Sequence, residues 1–201
     1  MSGAFNVISA AGISGNHAIG TAATAGPLYQ TGRTRPDLVA PTNSSTSHNT
    51  ARISSAVALL IETGRDGGLT LSNGTVDTRD ANPGGSANIE SIFHAQTAEV
   101  IRAALMASAN RQAVTDDDNN GFNDDYVVNT TNGLNGHYGA GQLDIFDAHQ
   151  IVTGGEHDSR EEGDLTDIGP NGFDYDASFT NSDVATYHFT TSKESQFTAS
   201  L

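Results

Sequence analysis

The residues with the clearest chemical potential are Ser44-Ser45-Thr46-Ser47, a run of hydroxyls directly ahead of a long helical pattern. A serine at the mouth of a buried helix has two assets for acyl transfer. The helix N-terminus offers backbone N–H groups without intrahelical partners, and the positive end of the dipole favours a developing oxyanion. A rigid helix also holds the hydroxyl in place. The same residues, read without further context, suit an N-cap in a Ser/Thr-rich loop. A serine nucleophile needs a base and a carboxylate that orients that base. The 46 residues before Ser47 hold one histidine, His17, and one acid, Asp37. His48 adjoins Ser47 and points another way on a helix. The remaining histidines (His94, His137, His149, His157 and His188) are dispersed and read as surface or loop residues.

A second constellation is Asp116-Asp117-Asp118-Asn120-Gly121-Phe122-Asp124. Oxygen donors at alternate positions, a central Gly for a sharp turn and a backbone carbonyl from Phe122 match a loop that wraps a hard cation. The expected ligands are Asp116, Asp118, Asn120, Phe122 and Asp124, and the expected ion is a structural Ca2+. Position twelve of such a loop is Val127 rather than Glu, so the pattern is not a full EF-hand. The alternative is a solvated acidic turn.

The elements that must position Ser47 are legible. Phe5–Ala10 reads as a buried strand, and Leu38-Val39-Ala40 as a short strand between Pro36 and Pro41. A helix is expected over about 47–62, buried on most sides, with Gly64 and Arg65 at its C-terminal end. Residues 66–92 read as loop. Thr97 is expected to cap a helix over about 98–109, with Val100, Ile101, Ala104 and Leu105 on its apolar face. Gly139-Ala140-Gly141 reads as a tight turn, and Asp144 as the cap of a helix over about 145–152. Residues 156–176 read as a solvated acidic linker, and 185–191 as an alternating strand with Tyr187 and Phe189 on one face.

Together these segments resemble the subtilisin-like serine peptidases (subtilases). The resemblance is carried by Arg35-Pro36-Asp37-Leu38-Val39-Ala40-Pro41, then Thr46-Ser47 running into Ala56-Val57-Ala58-Leu59-Leu60. It extends to Phe5–Gly12, to Gly26-Pro27 through Gly32-Arg33, to Glu99–Ala109 and to Tyr138-Gly139-Ala140-Gly141 with Ala148, covering about residues 4–153. Departures are Ser45 for the family Gly, Ala51 for its Pro, and Arg52 at a small-residue position. The resemblance implies a serine endopeptidase with Ser47 as nucleophile, polypeptides as substrates, and a triad Asp and His upstream of this chain. The expected fold is α/β: residues 1–153 form the C-terminal part of a parallel-sheet domain with flanking helices. Residues 154–182 form an acidic linker, and residues 183–201 start a β-rich domain. Rival readings are an inactive subtilase-like relic and a calcium-binding extracellular structural or adhesion module.

Charge and composition narrow the partners. Twenty-four acids face nine bases, for a net charge of −15. Such a field repels phosphate backbones and anionic membrane surfaces, so nucleic acid is excluded as a partner. The longest strictly apolar run is Ala56–Ile61, so membrane insertion is not expected. With no cysteine, disulfides and thiol chemistry are absent. That fits an extracellular or cell-surface protein whose export signal lies upstream.

Overall fold

Pro36 and Pro41 leave room for only a short strand between them, and Leu38–Ala40 forms it, fully buried (β2). The structure is a computed structural model that describes residues 7–12, 35–41, 46–79, 89–114, 125–130, 132–160, 163–180, 182–191 and 198–199. The chain also forms strand β1 (Ala10–Gly12), helix α1 (Thr46–Gly67), and strands β3 (Thr75–Arg79) and β4 (Ile89–Phe93). Helices α2 (Ala98–Ala107) and α3 (Ile145–Gly154) follow. β1 and β2 pair in parallel, with Ala10, Ala11 and Gly12 opposite Leu38, Val39 and Ala40. β3 and β4 form an antiparallel hairpin with Thr75 opposite Phe93. Among the described residues the architecture is therefore a mixture of helices with one small parallel and one small antiparallel sheet.

β2 also lies beside residues 141–143, through Val39 N–H to the Gly141 carbonyl (3.0 Å) and Leu143 N–H to the Val39 carbonyl (2.7 Å). Leu38, Leu60, Ile101, Leu105 and Val152 are the largest fully buried apolar side chains of the core cluster, which β2, α1, α2 and α3 share. Burying each contributes roughly 1.5–3 kcal/mol. The α2 face is the expected one: Val100, Ile101, Ala104 and Leu105 are its buried residues. Thr97 caps α2, its hydroxyl accepting from Val100 N–H, and Asp144 caps α3 by accepting from Asp147 N–H.

Several expectations are corrected. Of the expected strand Phe5–Ala10, Val7, Ile8 and Ser9 lie outside β1, which is Ala10–Gly12 because pairing with β2 selects the residues opposite Leu38–Ala40, while Phe5 and Asn6 lie outside the described residues. α1 does not stop at Gly64. A Cβ there would lie 2.7 Å from the Ala95 carbonyl oxygen, so Gly64 serves close packing inside the helix. The helix ends where Gly68 takes φ +48°, a conformation that favours glycine. Nor is α1 buried on most sides. Asn49, Ile53, Ala56, Leu60 and Gly64 form one buried stripe, while Leu59 is 54% exposed. The stretch 66–92 is not all loop: alternation in Thr75–Arg79 and Ile89–Phe93 pairs as a hairpin. Residues 185–191 do not form a regular strand. His188 makes a single bridge to Asp167, and only Phe189 and its successors are exposed in that run.

Candidate functional site

Ser47 is the second residue of α1 and is exposed to solvent. The chain reaches it from β2, so a parallel strand feeds the N-terminal turn of a helix, where backbone N–H groups lack intrahelical acceptors. No described histidine or carboxylate is hydrogen-bonded to the Ser47 hydroxyl. His94 contacts Glu156, His157 contacts the Asn171 carbonyl, and His188 contacts Asp167. Within the first turns, the Thr50 hydroxyl donates to the Thr46 carbonyl at 2.8 Å. Asn49 faces the interior and is fully buried. Arg52 is exposed, and its Nη1 donates to the Pro41 carbonyl at 3.3 Å. A charge at that position is therefore accommodated by pointing away from the core.

Asp37, in the Pro-Asp segment, is a buried anchor. Its side chain is 1% exposed and pairs with Arg102 of α2 at 2.8 Å. Its second oxygen accepts the Ser9 N–H at 2.7 Å. Its backbone carbonyl accepts Ala140 N–H at 2.9 Å. Gly139 makes that approach possible: it has φ +60°, and a Cβ there would lie 2.3 Å from the carbonyl oxygens of Pro36 and Asp37. The expected Gly139-Ala140-Gly141 turn thus closes over the segment that precedes β2. Tyr126 supports the same turn by donating its hydroxyl to the Gly139 carbonyl at 2.8 Å. Burial raises the Tyr126 pKa, with the Arg111 guanidinium opposing.

Sequence reasoning missed a second polar centre, at the start of the acidic stretch. Glu156 is no solvated linker residue: its side chain is 2% exposed. Both its oxygens lie 2.9 Å from His94 Nδ1, and one accepts Asn73 N–H at 2.6 Å. The Tyr175 ring packs on His94 at 4.6 Å. Asp158 and Asp174 bring carboxylate oxygens within 4.8 Å of those of Glu156. Asp158 accepts from the Asn73 amide, and Asp174 from Ser159 N–H and the Tyr187 hydroxyl. Burial first, then the bond to Asp174, pushes the Tyr187 pKa far up. The partners are up to 85 residues apart in sequence, so no local pattern could have marked them. Downstream, residues 163–167 are exposed. Hydrogen bonds from Thr190 and then His188 hold the Asp167 carboxyl below its ordinary range.

The expected calcium ligands Asp116, Asp118, Asn120, Phe122 and Asp124 lie outside the described residues. Among the described residues no helix is long and apolar enough to cross a membrane. No family model, curated protein or solved structure matches this chain.

Proposed function

We propose that the protein is a serine endopeptidase of the subtilisin type, with Ser47 as its nucleophile. The observation that carries this reading is the exposed Ser47 in the first turn of a helix fed by a parallel strand. That geometry leaves the hydroxyl open to a substrate carbonyl, with N–H donors beside it for the oxyanion. A histidine and an aspartate from chain outside these 201 residues complete the triad. Ser47 attacks the scissile carbonyl as the histidine takes its proton. The histidine returns that proton to the leaving amine, and water then hydrolyses the acyl-enzyme. The outer face of α1 also suits a further layer of chain. Ala51, Ser54, Ser55 and Ala58 keep it small, and Leu59 and Ile61 make it apolar.

In the same reading the substrates are polypeptides and the protein works outside the cell. The segment from Asp116 to Asp124 holds Ca2+ for stability, and chelation lowers the melting temperature of the complete protein.

The test is covalent labelling of the complete protein with a fluorophosphonate probe. Labelling that maps to Ser47 and is lost in Ser47→Ala is the expected result. Complete protein that never reacts, with peptide substrates left uncut, would make the domain a relic with a binding or structural role.

A further inference from the structure

Arg52 stands five residues after Ser47 on α1. An α-helix advances about 1.5 Å and turns about 100° per residue, so the two residues are about 7.5 Å apart along the axis and about 140° apart around it. Long side chains on a helix lean toward its N-terminus. Arg52 does so far enough for its Nη1 to donate to the carbonyl of Pro41, the residue directly after β2. The guanidinium therefore ties the exit of β2 to the opening turns of α1, the two elements that flank the connection leading to Ser47.

Such a tie matters because a helix frays first at its ends, where N–H groups lack intrahelical acceptors. Ser47 cannot anchor itself: its hydroxyl is exposed and bonded to no described residue. Asn49 is buried on the inner side of the first turn, and Arg52 ties the helix entrance from the solvent side. Arg52 is also the only charged residue between Thr50 and Ile61, in a chain with nine bases against twenty-four acids.

We infer that Arg52 is a positioning residue for Ser47: its clamp on Pro41 keeps the first turn of α1 aligned with β2 and so fixes the direction of the Ser47 hydroxyl. This rests on the nucleophile reading above. A misplacement of about 1 Å in a reacting group can cost about 100-fold in rate. Loss of one exposed clamp, with β2 and the helix still in place, costs less, about fivefold.

The experiment compares the complete wild-type protein with Arg52→Gln and Arg52→Lys. One readout is the rate constant for fluorophosphonate labelling of Ser47. A second is amide hydrogen exchange in residues 50–52, whose N–H groups bond to the carbonyls of the first turn, and a third is the urea midpoint. Gln is too short to reach the Pro41 carbonyl, whereas Lys keeps a cationic donor on a long stem. Arg52→Gln is expected to slow labelling about fivefold, to speed exchange in the first turn by a similar factor, and to leave the midpoint unchanged. Arg52→Lys is expected to recover most of both losses. Wild-type exchange and labelling in Arg52→Gln would overturn the inference and leave the nucleophile standing. Slower labelling with a matching drop in midpoint would mean a general structural role, and would also overturn it. Faster exchange with no labelling of any variant, wild type included, would remove the nucleophile and the positioning role together, leaving only a structural clamp.

Discussion

Asp37→Asn tests the claim that a buried ion pair, rather than the short strand β2 alone, holds the segment leading to Ser47. The carboxylate is 1% exposed, and the donors it receives include Arg102 Nη2 at 2.8 Å and Ser9 N–H at 2.7 Å. Asn keeps the shape but presents one oxygen and no charge, so one of the two donors loses its acceptor. A hydrogen bond to a charged group contributes about 1.5–3 kcal/mol. Breaking one side of a fully buried pair costs about 3–5 kcal/mol. Arg102 is 30% exposed and recovers part of its solvation in the mutant, which lowers the expected cost to about 3 kcal/mol. For a chain of this size that is a fall of about 6–12 °C in melting temperature. Urea unfolding at neutral pH measures it directly, and a cycle with Arg102→Gln isolates the coupling. A loss below about 1 kcal/mol, or a coupling energy near zero, would refute the reasoning.

Three further outcomes are expected. Gly139→Ala should cost about 3 kcal/mol or more, since its Cβ meets two backbone carbonyls, whereas Gly133→Ala, at φ +78° with nothing within 4 Å, should cost only about 1 kcal/mol; equal losses in urea unfolding would dismiss the steric account. Glu156→Ala leaves Asn73 N–H and His94 without their acceptor, so it should cost about 2–3 kcal/mol and speed tryptic cleavage after Arg160; an unchanged cleavage rate would show that Glu156 does not fasten this segment. The folded-state pKa of Tyr187 lies above its ordinary value of 10.0, so the stability it contributes is complete below pH 10 and is lost as pH rises further, while the phenolate is forced into the folded state; the difference in absorbance titration between wild type and Tyr187→Phe should place the ionisation of Tyr187 above pH 10, and ionisation at or below that value would contradict the burial argument.

What the sequence determined lies in short-range chemistry. The prolines around Leu38–Ala40 bounded β2, Thr97 and Asp144 announced α2 and α3, and the spacing of Val100, Ile101, Ala104 and Leu105 marked the buried face of α2. Gly139 and Gly141 marked a turn because glycine alone takes their backbone angles without strain. Each of these signals is carried by residues within about two helical turns of one another. Ser47, too, could be placed at a helix entrance from its neighbours alone.

The tertiary structure decided the long-range matters. Gly64 read as a helix stop until Ala95 packed against it, because a glycine that permits close approach looks the same in sequence as one that ends a helix. Asp37 read as part of a motif, and only the fold joined it to Arg102, 65 residues away. Glu156 read as a solvated linker residue, because an acidic Gly-rich stretch gives no local sign of burial. Its burial depends on Asn73 and His94, which reach it from two other parts of the chain. Charge and burial are properties of a residue's surroundings, and for these residues the surroundings are assembled only when distant segments meet.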